Sequence, residues 1–451
     1  MIEHVAIVGC GFSGALQAIN LHRHGGPRAT VIERGAEPGK GLAYGAAHPM
    51  HLLNVRASRM SAFPDDPDHF VRWLESRGVP CPREAFVPRM TYGAYLRSLL
   101  QAAARDANGR IQIIEDRVDN VEGGPDGARL TLESGRIVEA DAAVLAIGNL
   151  PPHAPAGLES GQLVAPRYVP DPWGGGVADG LGPEDTVLVI GTGLTMVDVV
   201  LLLDSKGFTG RIVAMSRRGL LPHVHAGDTP APAPISARPT GRASEIVQAV
   251  RARAEAIGWR DAVDELRPFT QGMWRAAPEE ERQRFLRHLR PWWDIHRHRI
   301  APEVAGKLQH MQDEGRLQVI AGKPQAFVER GNGADVTYRP RGASETGTLR
   351  VQRVINCTGP QGDLKRSDDP LLRRLANRGL IRADAQRLGI DVDPQARTIA
   401  ADGTANQWLF ALGPLTRGAF WEIIAVPDIR AQTWTVARHF SNAHWVEGEG
   451  L

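Results

Sequence analysis

Two glycine-rich segments contain residues whose types and spacing suit the binding of a nucleotide. In the first, Gly9, Gly11 and Gly14 complete the pattern G-x-G-x-x-G after an apolar run, and Glu33 ends the next apolar run, 24 residues after Gly9. Such glycines allow a tight turn, a close approach of backbone amides to a pyrophosphate and close packing of a helix, and an acid at this distance accepts hydrogen bonds from a ribose. The segment therefore predicts a nucleotide site; a tight turn that binds nothing is the alternative.

The second glycine-rich segment predicts a site of different specificity. It contains Gly191 and Gly193, whereas Met196 stands where a third glycine would be, and the following apolar run ends in Ser216-Arg217-Arg218. A carboxylate at this position binds a ribose 2′-hydroxyl, whereas a hydroxyl and two guanidinium groups bind a 2′-phosphate through paired, charge-assisted hydrogen bonds. We therefore predict an NADP(H) site. A solvent-exposed strand end is the other explanation for the two arginines.

Strands and helices must hold these two loops in place. Each loop lies between an apolar run, at 5–8 or 187–190, and a helical pattern of apolar residues. Short segments of alternating polarity follow in each half, and their glycine-containing turns predict a small antiparallel meander. They are IQIIE, RVDNVEG, ARLTLES and RIVEA in the first half and LQVIAG, KPQAFVERG, ADVTYRP and GTLRVQ in the second. Apolar strands at 141–149 and 353–359 close the two halves.

A last apolar strand, at 409–412, precedes Gly413-Pro414 and an amphipathic helix. A strand that ends in glycine before such a helix could bring backbone amides close to the pyrimidine end of a flavin. By spacing alone, it could equally be a structural cap on the sheet. We favour the flavin contact, because the first nucleotide site needs its sheet completed.

Residues 223–315 interrupt the second nucleotide fold and predict a helical lid. A proline-rich loop at 225–241 leads into helical patterns at 243–266, at 278–290, where Pro291 breaks the helix, and from Pro302 to 315. The stretch RHLRPWWDIHRHR is rich in Arg and His, and we predict that it attracts an anionic group over the flavin. A solvated basic helix face with buried tryptophans is the alternative, and the histidine spacing does not suit a metal site. The substrate candidates are Trp293, His296, Arg297, His298 and Arg299.

Composition narrows the class of protein. The 451 residues carry 53 basic and 51 acidic side chains, a net charge of +2 that argues against nucleic acid or a membrane surface as a partner. The three cysteines have no C-x-x-C spacing, which suits a reducing compartment and argues against a metal site or a redox-active disulfide. No apolar run approaches the roughly 18 residues that span a bilayer. We therefore expect a cytoplasmic enzyme.

The motifs together resemble a known family. The chain resembles flavoproteins with two dinucleotide-binding domains, FAD site first and NADP(H) site second, which include the class B flavin monooxygenases. More narrowly, it is similar to a bacterial FAD/NAD(P)-binding oxidoreductase family with amino-acid N-hydroxylases, including aspartate N-hydroxylases, among its relatives. The signature F-x-G-x-x-x-H-x-x-x-W/P of the wider monooxygenase class is absent. The matching segments are GKGLAYG (39–45), HLLNVRASRMSAFPDDPDHFVRWL (51–74), VLVIGTGLTMVD (187–198), SRRGLLP (216–222) and PWWDIHRHRIAPEV (291–304).

The resemblance implies cofactor contacts at matching positions. The first glycine loop and Glu33 would hold the pyrophosphate and ribose of FAD, residues 42–44 and 53–55 would lie along the isoalloxazine, and the backbone of Val118 would meet the adenine. The full FAD set is Gly9, Gly11, Phe12, Ser13, Gly14, Glu33, Arg34, Leu42, Ala43, Tyr44, Leu53, Asn54, Val55, Met60, Val118, Ala146, Gly148, Gly413 and Trp421. The NADP(H) set is Gly191, Thr192, Gly193, Leu194, Thr195, Ser216, Arg217 and Arg218.

These inferences predict an α/β chain with two Rossmann-like dinucleotide-binding domains, one for FAD and one for NADP, with small antiparallel β meanders and an inserted helical lid. The FAD domain would comprise residues 1–155 and 358–451. The NADP domain would comprise residues 156–222 and 316–357, with the lid at 223–315 between its two parts.

Three classes of function remain at this stage. The first is an NADPH-dependent flavoprotein monooxygenase that N-oxygenates a small amine or amino acid through a C4a-hydroperoxyflavin, with molecular oxygen and the small molecule as substrates. In such a scheme the cofactor performs the difficult chemistry, so no catalytic side chain can be assigned. The second is an NADPH:acceptor flavin oxidoreductase without oxygen insertion, which the absent signature favours. The third is a redox sensor that binds two nucleotides without catalysis.

Overall fold

The structure is a computed structural model that describes residues 2–226 and 235–441. Residues 227–234, within the loop predicted at 225–241, lie outside these ranges, as do residues 1 and 442–451. The α/β class, with two Rossmann-like units, small antiparallel sheets and a helical insert, is confirmed.

The strands of the described residues are numbered in chain order. They are β1 His4–Val8, β2 Arg28–Glu33, β3 Ile111–Glu115, β4 Val118–Gly124, β5 Gly127–Leu132, β6 Ile137–Ala140, β7 Ala142–Leu145, β8 Tyr168–Val169, β9 Thr186–Ile190, β10 Arg211–Ser216, β11 Leu317–Arg330, β12 Gly333–Pro340, β13 Gly347–Val351, β14 Arg353–Asn356, β15 Arg397–Ile399 and β16 Ala405–Ala411.

The α-helices of the same residues are numbered likewise. They are α1 Phe12–Arg23, α2 Gly41–Gly45, α3 His69–Glu75, α4 Arg89–Asp106, α5 Leu194–Ser205, α6 Ala243–Ile257, α7 Trp259–Asp264, α8 Thr270–Ala276, α9 Glu279–Arg284, α10 Arg290–Arg297, α11 Pro302–Asp313, α12 Pro370–Asn377 and α13 Val426–Phe440.

Two sheets repeat one arrangement around the glycine loops. The first has the order β15-β16-β7-β1-β2-β3 and the second the order β13-β12-β11-β10-β9-β14-β8. In the first sheet β1 lies between the parallel strands β2 and β7, and in the second β9 lies between the parallel strands β10 and β14. The strand order therefore reverses next to β1 and next to β9. Ligands of open α/β sheets bind in the crevice at such a reversal, and both glycine loops begin there.

Burial explains why the central strands are continuously apolar. Every residue of β1 and all but the first of β9 are buried, because helices cover one face of each parallel sheet and antiparallel strands, from β4–β6 or β11–β13, pack on the other. Helices α1 and α5 supply much of that cover, and ten of the twelve residues of α1 are buried. The first sheet also takes β15 and β16 from the C-terminal part of the chain, so both ends of the chain contribute to one core.

The predicted meanders are only partly correct. The segment IQIIE forms β3, which pairs in parallel with β2 at the edge of the first sheet, so the separate antiparallel sheet contains β4, β5 and β6 alone. An edge strand alternates in polarity because its faces differ in exposure, and this alternation resembles that of a meander. LQVIAG and KPQAFVERG form the single strand β11, which pairs in parallel with β10 and then, past Gly322, in antiparallel fashion with β12.

The helical insert also differs in detail from the prediction. The helix predicted at 243–266 divides into α6 and α7 at Gly258, whose φ of +83° interrupts the helix. The helix predicted at 278–290 is not broken at Pro291: α9 continues through a π-helical turn, Phe285–Leu289, into α10. Pro291 is tolerated because it lies in the first turn of α10. The last predicted helix corresponds to α11, Pro302–Asp313.

A buried ion pair joins the two Rossmann-like units. Arg89, at the start of α4, donates from Nη1 to Oδ2 of Asp198 on α5 over 2.7 Å, and the side chains are 15% and 6% exposed. His51 donates from Nε2 to the backbone carbonyl of Asp198 over 2.9 Å, while its Nδ1 accepts from the amide of His48. Burial lowers the pKa of His51, which agrees with the neutral ring that this pattern requires. Burial raises the pKa of Asp198, and the charge of Arg89 opposes that rise.

We predict that Arg89→Met will destabilise the protein by about 3–5 kcal/mol, because it leaves the carboxylate of Asp198 buried without its partner. The double variant Arg89→Met/Asp198→Leu should recover most of this loss, since an apolar pair needs no compensation. Chemical denaturation followed by circular dichroism measures both effects. Arg382→Met is the matched control, because it breaks the more exposed pair between Arg382 and Asp391 and should cost about 1 kcal/mol or less. Equal losses for Arg89→Met and the control would contradict the prediction.

Candidate functional site

The first glycine loop has the shape of a pyrophosphate cradle. Gly9 has φ +95°, and a Cβ atom there would lie 2.6 Å from the carbonyl oxygen of Ala146. A Cβ at Gly14 would overlap the carbonyl oxygen of Gly9, so neither position accepts a side chain. At Gly11, where α1 begins, a Cβ would meet only the Cα of Gly41, at 3.5 Å. The loop is thus closed on the sheet side and open at Gly11, where the amides of the helix N-terminus face an anion.

Glu33 is held at the end of β2, beside this loop. Its Oε2 accepts from the amide of Cys10 over 2.6 Å, and its Oε1 accepts from the amide of Gly35 over 3.1 Å. Each carboxylate oxygen has a second lone pair, so the group can still accept the hydroxyls of a ribose. Arg34, the next residue, is exposed. The observed geometry of loop, helix and acid fits the phosphate and ribose of a dinucleotide.

The other residues predicted at the isoalloxazine lie on segments around this loop. Leu42 and Ala43 on α2 are exposed, and the half-buried ring of Tyr44 lies 4.8 Å from Tyr92 and 6.1 Å from Phe12 between ring centroids. In the second segment, Leu53 and Met60 are buried, whereas Asn54 and Val55 are half-buried. Val118 is buried at the start of β4, Ala146 is buried beside Gly9, and Gly148, at φ +81°, has open space around it. These assignments remain predictions.

The C-terminal strand ends against the first turn of α1. Gly413 has φ +73°, and a Cβ there would overlap Oγ of Ser13. The amide of Gly413 donates to Oε1 of Gln432 over 2.8 Å, and Gln432 donates from Nε2 to the hydroxyl of Thr416 over 3.0 Å. The turn after β16 therefore lies beside the first glycine loop. Trp421, farther along, stacks on Trp274 with ring centroids 4.7 Å apart, so it lies where the insert meets this segment.

The second glycine loop has the same shape as the first, but the strand beside it ends in different residues. Gly191 has φ +117°, and a Cβ there would overlap the carbonyl oxygen of Cys357, whereas a Cβ at Gly193 would meet no atom within 4 Å. The hydroxyl of Thr192 donates to the carbonyl of Leu220 over 2.5 Å and lies 2.9 Å from Oγ of Ser216. Leu194 and Thr195 begin α5. The loop is therefore tied to the end of β10, where Ser216 stands.

Four arginines surround a pocket of about 250 Å³ at this edge. Arg217 and Arg218 follow β10, whereas Arg287 comes from the insert and Arg341 follows β12. None of the four forms an ion pair with a carboxylate within residues 2–226 and 235–441. The guanidinium of Arg218 lies 5.8 Å from the ring centroid of Trp292. A group of arginines without carboxylate partners suits a phosphate. Arg341 is not predicted from the sequence, because no motif surrounds it.

The five predicted substrate residues lie on α10 and at the two positions after it, and they form two groups. On one side, Arg299 forms a bidentate ion pair with Asp264, at 2.9 and 3.0 Å, and the ring of His296 lies 4.8 Å from Trp259. These are contacts within the insert, and they join α10 to α7. On the other side, Trp293, Arg297 and His298 approach the C-terminal segment of the chain. The tertiary structure thus brings together three of the five residues.

Glu422 is the centre of that second group. It is 1% exposed and has φ +68°, a left-handed conformation that is unusual for glutamate. The indole of Trp293 donates to its Oε1 over 2.9 Å, Nε of Arg297 lies 3.6 Å from Oε2, and Nε2 of His298 lies 3.7 Å from Oε1. Glu422 is not among the residues that the sequence predicts for a site. Its signal is a charge inside the apolar run FWEIIAV.

The electrostatics of this buried group are mixed. Burial alone would raise the pKa of Glu422, but His298, Arg297, Trp293 and Arg417 together hold it below its usual value. Burial lowers the pKa of Arg417 to about 10 and that of His298 below its usual value. Burial lowers the pKa of Arg267 to about 10 and raises that of Asp428 to about 6. We define the buried ionic cluster as the buried Glu422 with the half-buried side chains around it, which are Arg267, Arg297, His298, Arg417 and Asp428.

Comparison with known proteins identifies the first unit. Residues 6–150 match the family described as FAD-NAD(P)-binding, over the segment that contains the first glycine loop and Glu33. Residues 6–150 are an FAD/NAD(P)-binding domain. No curated protein matches the chain by sequence. Within the described residues, no helix has the length and apolarity that crossing a membrane requires.

Solved structures share the fold of the whole chain. The ornithine N-hydroxylase of Kutzneria sp. 744 is 18% identical, with a TM-score of 0.63 over 98% of this chain and 99% of that one. The L-lysine 6-monooxygenase of Pseudomonas syringae is 18% identical, with a TM-score of 0.67 over 98% and 100%. The FAD-bound cadaverine monooxygenase of Erwinia amylovora is 13% identical, with a TM-score of 0.67 over 98% and 95%. At these identities the similarities show a shared fold, and the family match shows the FAD/NAD(P)-binding domain at residues 6–150.

We predict that Gly11→Ala and Gly193→Ala will separate the two sites. Both positions have negative φ values, −73° and −87°, and room for a methyl group, so both variants should fold. The added methyl at Gly11 would face the pyrophosphate, so this variant should purify with little FAD. Gly193→Ala should keep its flavin and show a KM for NADPH raised about tenfold or more, since a misplaced phosphate contact costs at least one charge-assisted hydrogen bond. Flavin absorbance and steady-state kinetics measure these effects, and normal FAD content in Gly11→Ala would contradict the first assignment.

A second prediction concerns Asp428. Because its folded-state pKa lies near 6, above its usual value, the folded state binds the proton more tightly, and stability falls as pH rises through that value. Asp428→Asn removes this cost, so its stability relative to the native protein should grow by about 1.4 kcal/mol between pH 5 and pH 7.5, since about one pKa unit of the shift lies in this range. Thermal or chemical unfolding at the two pH values measures the difference. Asp313→Asn, which changes an exposed aspartate, is the matched control. A stability difference for Asp428→Asn that varies with pH no more than that of the control would refute the assignment.

Proposed function

We propose that this protein is an FAD- and NADPH-dependent monooxygenase that N-oxygenates a small amine or amino acid, with molecular oxygen as the second substrate. The fold it shares with an ornithine N-hydroxylase, a lysine monooxygenase and a cadaverine monooxygenase supports this proposal. The two glycine loops also support it, because the strand beside the first loop ends at Glu33 and the strand beside the second ends at Ser216-Arg217-Arg218.

The observation that carries the proposal is the buried contact of the insert with the C-terminal segment at Glu422. That segment starts at Gly413, beside the first glycine loop, and leads to Glu422, which α10 covers with Trp293, Arg297 and His298. Trp274 from α8 and Phe285 add aromatic contacts to Trp421 in the same place. Such a cover would exclude water from a flavin bound at the first glycine loop, and oxygen chemistry needs that exclusion.

The buried ionic cluster supports an amine or amino-acid substrate. Arg267, Arg297 and Arg417 could bind a carboxylate, and Glu422 and Asp428 could bind an ammonium group. Several polar atoms of this group are buried without a hydrogen-bond partner in the described residues, among them Oε2 of Glu422 and Nε of Arg417. Buried polar atoms without partners are costly, and a bound zwitterion would satisfy them.

The residues have separate tasks in this mechanism. FAD supplies acceptance of a hydride from NADPH and the activation of oxygen. The amides of the first loop and of the α1 N-terminus hold its pyrophosphate, and Glu33 holds its ribose. Thr192 and Ser216 shape the second loop so that Arg217 and Arg218 receive the 2′-phosphate. The insert then excludes water while the buried ionic cluster orients the amine.

The cysteines argue against a dithiol reductase. Burial raises the pKa of Cys10 to about 12 and raises that of Cys357 as well, so neither thiol ionises at neutral pH. Cys81 is exposed and free. An acceptor reductase of this kind needs a thiolate that can attack a disulfide. The remaining alternative is electron transfer to another acceptor without oxygen insertion.

Stopped-flow spectroscopy tests the proposed function. The purified flavoprotein would be reduced by NADPH without air and then mixed with oxygenated buffer. We expect a transient absorbance band that belongs to neither oxidised nor reduced flavin, and faster decay of that band with a small amine or amino acid that becomes N-hydroxylated. Direct return to oxidised flavin, with candidate substrates present and at each pH, would contradict the proposal and favour the NADPH:acceptor oxidoreductase.

A further inference from the structure

Two arginines in the four-arginine pocket come from outside the nucleotide-binding motif. Arg217 and Arg218 occupy the expected place after β10, but Arg287 and Arg341 reach the same pocket from the insert and from the end of β12. They are separated from Arg218 by 69 and 123 positions of sequence. All four line the pocket together with Pro291, and Arg217, Arg287 and Arg341 are exposed.

The sheet itself holds Arg341 beside the strand end. The amide of Arg341 donates to the carbonyl of Ala321 over 2.8 Å. Ala321 is the residue of β11 that pairs in register with Ser216, the last residue of β10. A Cβ at Gly219 would also lie 3.1 Å from the amide nitrogen of Ala321. The backbone of Arg341 is therefore one strand away from the position that selects between a 2′-hydroxyl and a 2′-phosphate.

Arg287 connects this pocket to the lid. It lies in the π-helical turn Phe285–Leu289, and such turns are frequently found at functional sites. In the same turn, the ring of Phe285 lies 5.3 Å from Trp421 and 6.4 Å from Trp293, so it packs where the insert meets the C-terminal segment. The same short turn therefore has two contacts. Phe285 packs on the C-terminal segment at Trp421, and Arg287 lines the arginine pocket.

Electrostatics make this turn sensitive to the pocket's occupant. Four guanidinium groups without a carboxylate partner in the described residues repel one another. A 2′-phosphate, which carries nearly two negative charges, would replace that repulsion with charge-assisted hydrogen bonds. Arg287 can form such a hydrogen bond only while the insert packs against the pocket as it does in this structure.

We propose that Arg287 and Arg341 complete the 2′-phosphate site, and that NADP(H) bound there fastens the insert over the flavin through Arg287. This inference rests on the proposed function and extends it, because the cofactor that delivers the hydride also closes the lid. NAD(H), which lacks the 2′-phosphate, would bind the second glycine loop without closing the insert.

Binding measurements with substituted arginines test the first part. Calorimetry on the FAD-loaded protein would compare NADP⁺ with NAD⁺ for Arg287→Ala, Arg341→Ala and the double variant Arg217→Ala/Arg218→Ala. We expect each single variant to raise the Kd for NADP⁺ about tenfold or more with little change for NAD⁺, since each loses a charge-assisted hydrogen bond. Arg284→Ala and Arg339→Ala are matched controls. Arg284 pairs with Glu281 one turn before Arg287, Arg339 is an exposed residue of β12, and both variants should bind as the native protein does.

The outcomes separate this inference from the proposed function. If NADPH does not reduce the flavin of the native protein, the proposed function fails. A different result would contradict only the present inference. In that result NADPH reduces the flavin and Arg217→Ala/Arg218→Ala loses its preference for NADP⁺, but Arg287→Ala and Arg341→Ala bind NADP⁺ as tightly as the controls do. Arg287→Lys, which retains the charge, should recover part of the affinity.

Hydrogen exchange tests the lid. Adenosine 2′,5′-bisphosphate, which carries the 2′-phosphate, should slow amide exchange at 285–297 in the native protein, whereas 5′-AMP should not. In Arg287→Ala this protection should be lost, although the bisphosphate still binds at a higher concentration. Equal protection by both nucleotides, or protection that persists in Arg287→Ala at saturation, would overturn the proposed fastening of the insert.

Discussion

The ion pair between Arg89 and Asp198 is the contact on which the relation of the two nucleotide-binding units depends. Asp198 belongs to the helix that begins at the second glycine loop, and Arg89 begins a helix of the first unit, so this buried contact connects the first unit directly to the helix of the second loop. His51 adds a hydrogen bond to the backbone of the same residue. Burial makes any alternative arrangement costly, since either charge would be left without its partner. A hydride donor and acceptor need such a constant relation.

The two units share the same glycine-loop geometry but differ in the residues at the end of the second strand. Gly9 and Gly191 both have positive φ values, and a Cβ at either would collide with the carbonyl that follows the neighbouring strand. At the helix starts, Gly193 has open space and Gly11 has room for a methyl group against Gly41. The difference lies at the end of the second strand of each unit. There Glu33 accepts amide hydrogen bonds, whereas Ser216 leads into arginines that gather with two more. The same fold can therefore bind two different nucleotides, because the residues at the strand ends differ in charge.

The insert connects these two sites physically. Its π-helical turn and α10 meet the C-terminal segment through Phe285, Trp293 and Glu422, while Arg287 on the same turn lines the arginine pocket. The left-handed backbone of Glu422 and the unsatisfied polar atoms around it store a cost that surrounding packing must offset. Such costs are typical of places where a ligand completes the structure, which is the reason for proposing that this cluster binds the amine.

The sequence by itself determined the glycine loops, the strand and helix that flank each one, and the acid and arginines at the strand ends, because these depend on local backbone conformation and short spacing. It also determined the α/β class and the helical character of the insert. Tertiary structure decided the rest. IQIIE became an edge strand of the parallel sheet because alternation reports exposure and not pairing direction. Arg341 and Glu422 joined their sites through long-range packing. On α10, His296 contacts Trp259 of α7 whereas Arg297 approaches Glu422, since a helix distributes neighbouring residues around its axis.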